Sequence, residues 1–351
     1  MKTRNVALDY AKGIGILIVV FAHLLRGLQG SGLLKGVDEH VIQAISSACT
    51  IISMPAFFMA SGLLYGANIK KRHGMNELAG KFDGIFYPYL IWSLIIGTFE
   101  ILGNGVRNGS TSPYDLMHLL WSPKGIFWFL YALLMAFISV EILIKLLGVA
   151  RAPIALVAFS IGLLLAYPYL PAIFCLREFS MSLVYFALGV FLADRFPKTQ
   201  VGSWGTLVVA TCALFALEYF AHMVMGVSTG STRSITPNVF WLGISSLALM
   251  LAICYSLPSS GLDWLLNLGS RSMDIYLVHI LFVATVRIVL DKFLNVQSVP
   301  VYLALGMFFG VFGSLALTSF MKKTRLKYLL QPPEFLSLKA RLSPKVALQV
   351  L

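Results

Sequence analysis

Ten long apolar stretches follow one another along the chain, and short polar segments separate them. A run of about 20 apolar residues crosses the hydrocarbon core of a membrane as a helix, whereas a membrane barrel shows alternating segments of about ten residues. The pattern predicts an all-α polytopic membrane bundle of about ten transmembrane helices. Pro168 and Pro171 interrupt the chain between the fifth and sixth stretches. The predicted spans cover roughly 12–29, 41–67, 84–103, 125–147, 152–170, 179–194, 203–226, 238–257, 272–290 and 299–321.

The composition supports the same class of protein. Hydrophobic residues form 58% of the 351-residue chain and charged residues only 12%, and the mean hydropathy is +0.83. A soluble domain has about 25% charged residues. Because the last apolar stretch ends near residue 321, we expect a membrane domain over 1–321 and a basic cytoplasmic tail over 322–351.

The basic residues predict the orientation in the membrane. With the N-terminus inside, 19 of the 27 lysines and arginines lie on the cytoplasmic side, as the positive-inside rule requires. Both termini are therefore expected in the cytoplasm of a multi-pass plasma (inner) membrane protein. The net charge of +12 also suits anionic lipid of the bilayer or a phosphorylated cosubstrate. Nucleic acid is not an expected partner, because the charge is spread over many short loops.

The first span carries polar residues on one face. Asp9 and His23 are 14 residues apart, a spacing that returns to the same face of a helix, and Lys12 belongs to the same stripe. His23 lies roughly 16 Å beyond Lys12 along the helix, near half the depth of a bilayer. A polar residue there indicates a functional site. The alternative is a buried histidine that bonds to a neighbouring helix.

Two later spans carry further polar candidates. His279 and Arg287 are eight residues apart and share a helix face. An arginine at that depth faces a polar cavity or forms a structural ion pair, for example with Glu100 or Asp291. Glu141 lies within the fourth span and is the most deeply placed carboxylate. It either has a role in the site, where it orients a histidine or positions the acceptor hydroxyl, or makes a structural bond between helices.

Four segments carry a resemblance to a known family: Arg4 to His23, Met54 to Leu64, Phe127 to Leu130, and Gly269 to His279. Each is weak alone. Together, in this order, they resemble the acyltransferase 3 family of integral membrane O-acyltransferases. The Lys12-Gly-Ile-Gly-Ile variant of the first segment is similar to the fucose 4-O-acetylase and exopolysaccharide acetylase branch.

The resemblance implies transfer of an acyl group, usually acetyl, from cytoplasmic acetyl-CoA to a hydroxyl of a cell-envelope or exported carbohydrate or glycolipid. Such a transfer needs a general base, donors for the developing oxyanion and a surface for the anionic nucleotide. His23 is the expected base or a transient acyl carrier. A separate extracytoplasmic transferase is a possible partner, and no metal is expected.

The expected site residues form three groups. The catalytic group is His23, Glu141 and His279. The acceptor-binding group is Arg287, Tyr276 and Trp128. The acyl-CoA group is Arg4, Asp9, Lys12, Ser61, Lys70, Lys71, Arg72 and Lys81. Within it, Ser61 either lines the path of the thioester or, with Gly62, permits close helix packing.

One segment departs from the family pattern. Many members carry an Arg-x-x-Arg pair before the third span, whereas this chain reads Lys81-Phe-Asp-Gly-Ile-Phe-Tyr87-Pro-Tyr. The nearby lysines and Arg72 can supply positive charge. A lysine lacks the bidentate fork of arginine, so the phosphate geometry differs.

Two other classes of function compete with the enzyme. A carrier or exporter of a polar solute or glycolipid would share the buried polar residues, but it predicts inverted repeats and matching broken helices, which the sequence lacks. An assembly subunit would not need His23 and Arg287 at membrane depth.

Overall fold

A computed structural model describes residues 5–102, 112–123, 125–197, 200–227 and 237–342 of the chain. Within these ranges every regular element is a helix, and none is a strand. The all-α prediction is confirmed. Helices satisfy their backbone hydrogen bonds internally, as a hydrocarbon environment demands.

The helices lie close to the predicted apolar stretches. In chain order they are α1 Val6–Gly30, α2 Glu39–Gly66, α3 Met75–Leu102, α4 Pro113–Met117, α5 Gly125–Leu147, α6 Ala152–Leu165, α7 Leu176–Leu192, α8 Trp204–Val224, α9 Pro237–Ser256, α10 Asp263–Ser270, α11 Ser272–Phe293, α12 Val299–Lys323 and α13 Leu338–Leu342. Four of them include a π-helical turn, at Phe82–Phe86 in α3, Phe220–Val224 in α8, Val289–Phe293 in α11 and Phe309–Gly313 in α12.

Eight of the described helices are long and apolar enough to cross a membrane, which confirms a polytopic helical membrane protein. The fifth predicted span is shorter than expected, because α6 has 14 residues and the chain then enters a 3-10 turn that contains Pro168. The sixth is α7, with 17 residues. The total of ten spans stays a prediction.

The contacts between Cα atoms group the chain into two compact units. The first unit comprises Met1–Ala60 and Phe196–Thr318, and the second comprises Ser61–Arg195 and Ser319–Leu351. The segment after α12 thus belongs with the second unit. The expected division at residue 321 stays a prediction.

The first unit is built around α1, which packs against α9, α10, α11 and the first part of α12. Two glycines let the backbones of α1 and α10 approach closely. A Cβ at Gly13 would lie 2.6 Å from the carbonyl oxygen of Leu265, and a Cβ at Gly269 would overlap the carbonyl oxygen of Asp9. The close contact between α1 and α10 explains the glycines at these two positions, which belong to the first and the fourth of the segments that carry the family resemblance.

The second unit packs α5 against α3, α6 and α7. The last turns of α2 lie on α7, where a Cβ at Gly62 would overlap the carbonyl oxygen of Phe186. The rings of Tyr65, Phe137 and Phe186 form an aromatic cluster, with centroids 5.1–6.3 Å apart. The Ser61-Gly62 pair therefore has a packing role through its glycine.

Gly269→Ala should destabilise the first unit, because the new methyl group must push α10 away from α1. Overpacking of this kind costs about 1–3 kcal/mol. Thermal unfolding in detergent measures the effect. Gly162→Ala is the matched control, since a Cβ on this α6 residue meets open space. Equal melting temperatures for the two variants would contradict the packing argument.

Candidate active site

Two histidines lie side by side in the first unit. His23 is on α1 and His279 on α11, and their ring centroids are 5.2 Å apart. His23 is half-buried, whereas His279 is fully buried. The similar depth of the two histidines on the first and ninth predicted spans leads to the expectation of one shared cavity. The rings are adjacent, and the cavity itself stays a prediction.

The hydrogen bonds of His279 determine which ring nitrogen carries the proton. Nδ1 lies 2.8 Å from the carbonyl oxygen of Tyr276 and 3.2 Å from that of Ile275. A carbonyl oxygen can only accept, so we assign the proton to Nδ1 and a lone pair to Nε2. That Nε2 is buried and has no hydrogen-bond partner in the described part of the chain. An imidazole held in this way is oriented to accept a proton.

The acceptor-binding candidates on α11 lie near this pair. The ring of Tyr276 is 6.0 Å from that of His279. Arg287 follows two turns later and is buried, with its Cδ close to Gly27 of α1. Trp128 belongs to the second unit and packs edge-on against Phe129. Tyr276 and Arg287 thus share the α1–α11 contact region with the histidines.

The polar residues at the start of α1 form an ion pair. Nζ of Lys12 is 2.7 Å from Oδ1 of Asp9, and both side chains are largely buried. Arg4 lies outside the described residues. Arg271, at the start of α11, donates a hydrogen bond to Asp274 on the same helix. It also donates to two acceptors on α12, the hydroxyl of Thr318 and the carbonyl oxygen of Leu315. The Arg271 side chain therefore joins two helices of the first unit.

The second unit contains a cavity of about 420 Å³ that is lined by residues from the end of α2, the start of α3 and α5. Its charged lining residues are Arg72, Glu77 and Lys81, and Ser61 also lines it. Nζ of Lys81 is 3.3 Å from Glu77 and 4.4 Å from the ring centroid of Phe137. The cavity has the size of a small-molecule site and two cations on its wall.

The remaining lysines of the acyl-CoA group lie elsewhere. Lys70 pairs with Asp194 at 3.1 Å, and both side chains are exposed. Lys71 is exposed and is not among the residues that line the cavity. The structure thus brings together Ser61, Arg72 and Lys81, and it places Asp9 and Lys12 in the other unit.

Glu141 makes contacts within the second unit. It accepts a hydrogen bond of 2.8 Å from the Tyr65 hydroxyl and one of 2.7 Å from the backbone N–H of Gly74. These bonds tie α5 to the end of α2 and to the turn before α3. They correspond to the structural bond between helices, one of the two roles considered for this carboxylate. The catalytic role of Glu141 stays a prediction.

A buried polar network in the first unit was missed by the sequence analysis. Glu218 on α8 accepts from the Ser246 hydroxyl of α9 at 2.5 Å, and its other oxygen is 3.1 Å from Nε2 of His222. Nδ1 of His222 meets the carbonyl oxygen of Val227. Glu218 and His222 are four residues apart in an otherwise apolar span, a spacing that places them on one face and would have revealed the pair.

Arg26 forms a second polar link that the sequence did not reveal. It lies three residues after His23 on α1, and its guanidinium donates to Ser46 and Thr50 of α2, at 3.0 and 2.7 Å. The sequence indicated only a basic residue at the outer end of the first span.

The comparison with protein families decides the assignment. The model of an acyltransferase domain matches residues 5–319, nearly the whole chain. The chain belongs to the acyltransferase 3 family. This confirms the resemblance seen in the four motifs and supports a multi-pass membrane acyltransferase.

Two curated relatives are nodulation proteins NolL. The protein from Mesorhizobium japonicum is 28% identical over 179 residues, which is 47% of this chain and 45% of the relative. The protein from Sinorhizobium fredii is 25% identical over 139 residues, which is 40% of this chain and 36% of the relative. The matches thus span less than half the length of these relatives. No solved structure matches the chain.

Glu218→Ala should destabilise this acyltransferase strongly. It leaves His222 and Ser246 buried without their shared partner, and breaking a buried pair on one side costs about 3–5 kcal/mol. Thermal unfolding in detergent measures the loss. Glu334→Ala, which removes an exposed carboxylate from the segment after α12, is the control. A Glu218→Ala variant as stable as this control would contradict a structural role for the network.

Proposed function

We propose that this acyltransferase moves an acetyl group from cytoplasmic acetyl-CoA to a hydroxyl of a cell-envelope or exported carbohydrate or glycolipid. The observation that carries the proposal is the pair of adjacent histidines, one of which has a buried ring nitrogen with a free lone pair. A sugar hydroxyl is a poor nucleophile near neutral pH and needs such a base.

The histidine pair has the chemistry that the transfer requires. The hydroxyl oxygen attacks the carbonyl carbon of the thioester, a C–O bond forms and the C–S bond breaks. His23, the more accessible of the two rings, takes the proton from the hydroxyl and then passes it to the thiolate of CoA. In this proposal the Nε2 lone pair of His279 accepts a hydrogen bond from the N–H on the other ring nitrogen of His23, which stabilises the imidazolium that forms. Tyr276 and Arg287 are positioned near the pair to contact the acceptor.

The cavity of the second unit suits the anionic nucleotide part of acetyl-CoA. Arg72 offers a planar fork for a phosphate, and Lys81 offers a compact positive charge. Glu77 holds the Lys81 ammonium at the cavity wall. Ser61, on the same wall, contacts the thioester arm in this proposal.

The direction of transfer follows from the charge distribution. With 19 of 27 basic residues on the side of the termini, both termini are cytoplasmic and the protein is an inner (plasma) membrane protein in this proposal. The donor then enters from the cytoplasm, and the acceptor is at the outer side. A separate extracytoplasmic transferase would act on the product if the final acceptor is further from the membrane.

His23→Ala should abolish the transfer while the protein stays in the membrane. Loss of a general base lowers a rate by about 10²–10⁴-fold. The measurement is the amount of base-labile acetate on envelope carbohydrate in cells that express each variant. His279→Ala should give a similar loss.

His40→Ala is the matched control, because this histidine is exposed at the start of α2. Normal acetylation by a well-expressed His23→Ala variant would remove the histidine pair from the mechanism. Absence of any acetylated carbohydrate in cells with the unaltered protein would remove the acceptor class.

Arg72→Gln and Lys81→Gln should raise the KM for acetyl-CoA more than they lower kcat, as expected for lost ground-state binding. Membranes and labelled acetyl-CoA serve for the assay. Lys145→Gln, an exposed lysine at the end of α5, is the control. An unchanged KM in both cavity variants would mean that the cavity is not the donor site.

A further inference from the structure

The segment after α12 folds back onto α3. The carboxylate of Asp83 accepts three hydrogen bonds from it: 2.6 Å from the Ser337 hydroxyl, 2.9 Å from the backbone N–H of Leu338 and 3.1 Å from that of Lys339. Asp83 lies in the π-helical turn of α3. One carboxylate thus binds the beginning of the short helix α13 to the cavity-bearing helix.

A second contact holds the same segment. The Tyr87 hydroxyl donates to the carbonyl oxygen of Tyr328 at 2.7 Å, one turn along α3 from Asp83. Within the segment, the Ser337 hydroxyl accepts from the N–H of Ala340 at 3.0 Å, and Arg341 donates to the carbonyl oxygen of Phe335. These bonds give the segment a defined conformation on α3.

The consequence of this folding is the position of Lys339. Its Cδ lies 3.5 Å from where a Cβ of Gly80 would be, and Gly80 is one of the residues that line the cavity. The side chain of Lys339 is exposed, and it forms no ion pair with any residue that the structure describes. A lysine side chain with no ion pair among the described residues therefore lies beside the rim of a cavity that already presents Arg72 and Lys81.

The charges of the cavity show what this ammonium adds. Of the charged lining residues, Arg72 and Lys81 are cationic and Glu77 is anionic, so one positive charge is left over. Lys339 adds a second positive charge from outside the wall. The nucleotide part of a coenzyme A thioester carries several phosphate charges, and cations near a charged ligand contribute both affinity and faster association.

We propose that Lys339 is a binding residue for the phosphates of the acyl-CoA donor, and that Asp83 is the positioning residue that brings it to the cavity. This inference rests on the proposed function, because it takes the cavity as the donor site. It assigns to the C-terminal segment a part in substrate binding, in addition to any effect of its basic residues on the orientation of the protein in the membrane.

The test compares Lys339→Gln with Lys323→Gln, an exposed lysine at the end of α12 that does not line the cavity. An exposed ion pair is worth about 0.2–1 kcal/mol, so Lys339→Gln should raise the KM for acetyl-CoA by up to about fivefold with little change in kcat. Lys323→Gln should not change the KM. With S-acetylpantetheine, a donor that lacks the nucleotide, the difference between Lys339→Gln and the unaltered protein should disappear.

Asp83→Asn tests the positioning role. Weakening the bonds to Ser337, Leu338 and Lys339 should raise the KM to a similar extent and should make the C-terminal segment more susceptible to limited proteolysis. The double variant Asp83→Asn/Lys339→Gln should be no worse than the more affected single variant, because both changes remove the same interaction. Additive losses would contradict the positioning role.

The outcomes separate this inference from the proposed function. If Arg72→Gln raises the KM and Lys339→Gln does not, the inference is wrong and the donor site stands. If neither variant changes the KM, the cavity is not the donor site and both fail. A Lys339→Gln effect that persists with S-acetylpantetheine would show that the lysine does not act on the nucleotide, and it would overturn the inference.

Discussion

A polar side chain inside an apolar helical bundle is destabilising unless it finds a partner, and the first unit is arranged around this constraint. Asp9 pairs with Lys12, and Glu218 binds His222 and Ser246. On α12 the hydroxyls of Ser314 and Thr318 donate to carbonyl oxygens one turn back. Among its buried polar side-chain atoms that the structure describes, two lack a partner: Nε2 of His279 and Oε1 of Gln200. Only the first belongs to a titratable group, and its ring lies beside that of His23, the proposed base.

Much of the fold and part of the candidate site could be predicted from the sequence. Apolar runs indicated the helices because hydropathy reports burial in lipid directly. The nearness of His23 and His279 agrees with their similar depth on the first and ninth predicted spans. The Glu218–His222 pair could also be predicted, because a spacing of four residues places both side chains on one helix face. The binding of the C-terminal segment to Asp83 could not be predicted, since its partners are 254 residues apart and no periodic pattern connects them.

The basic residues show why composition alone misleads about a site. All lysines and arginines on the predicted cytoplasmic side contribute equally to a count that predicts orientation. In the structure, Lys12 and Lys70 are paired with aspartates away from the cavity, whereas Arg72 and the Glu77-paired Lys81 line it. The segment near Lys81 that lacks the family's arginine pair carries Asp83. This aspartate binds the backbone N–H groups of Leu338 and Lys339, so it holds a basic part of the chain beside the cavity.

The two halves of the proposed reaction, binding of the donor phosphates and proton transfer, need different surroundings. Phosphates are strongly hydrated, and they are best bound by cations that remain near water, such as Arg72, Lys81 and Lys339. Proton transfer from a sugar hydroxyl is favoured at a base whose ring orientation is held by hydrogen bonds and whose free nitrogen is shielded from water. His23, the proposed base, lies beside a ring of this kind, because Tyr276 holds one nitrogen of His279 and burial shields the other. Cations that remain hydrated and an imidazole shielded from water cannot occupy the same position. An enzyme that uses both must therefore build them from separate parts of its chain.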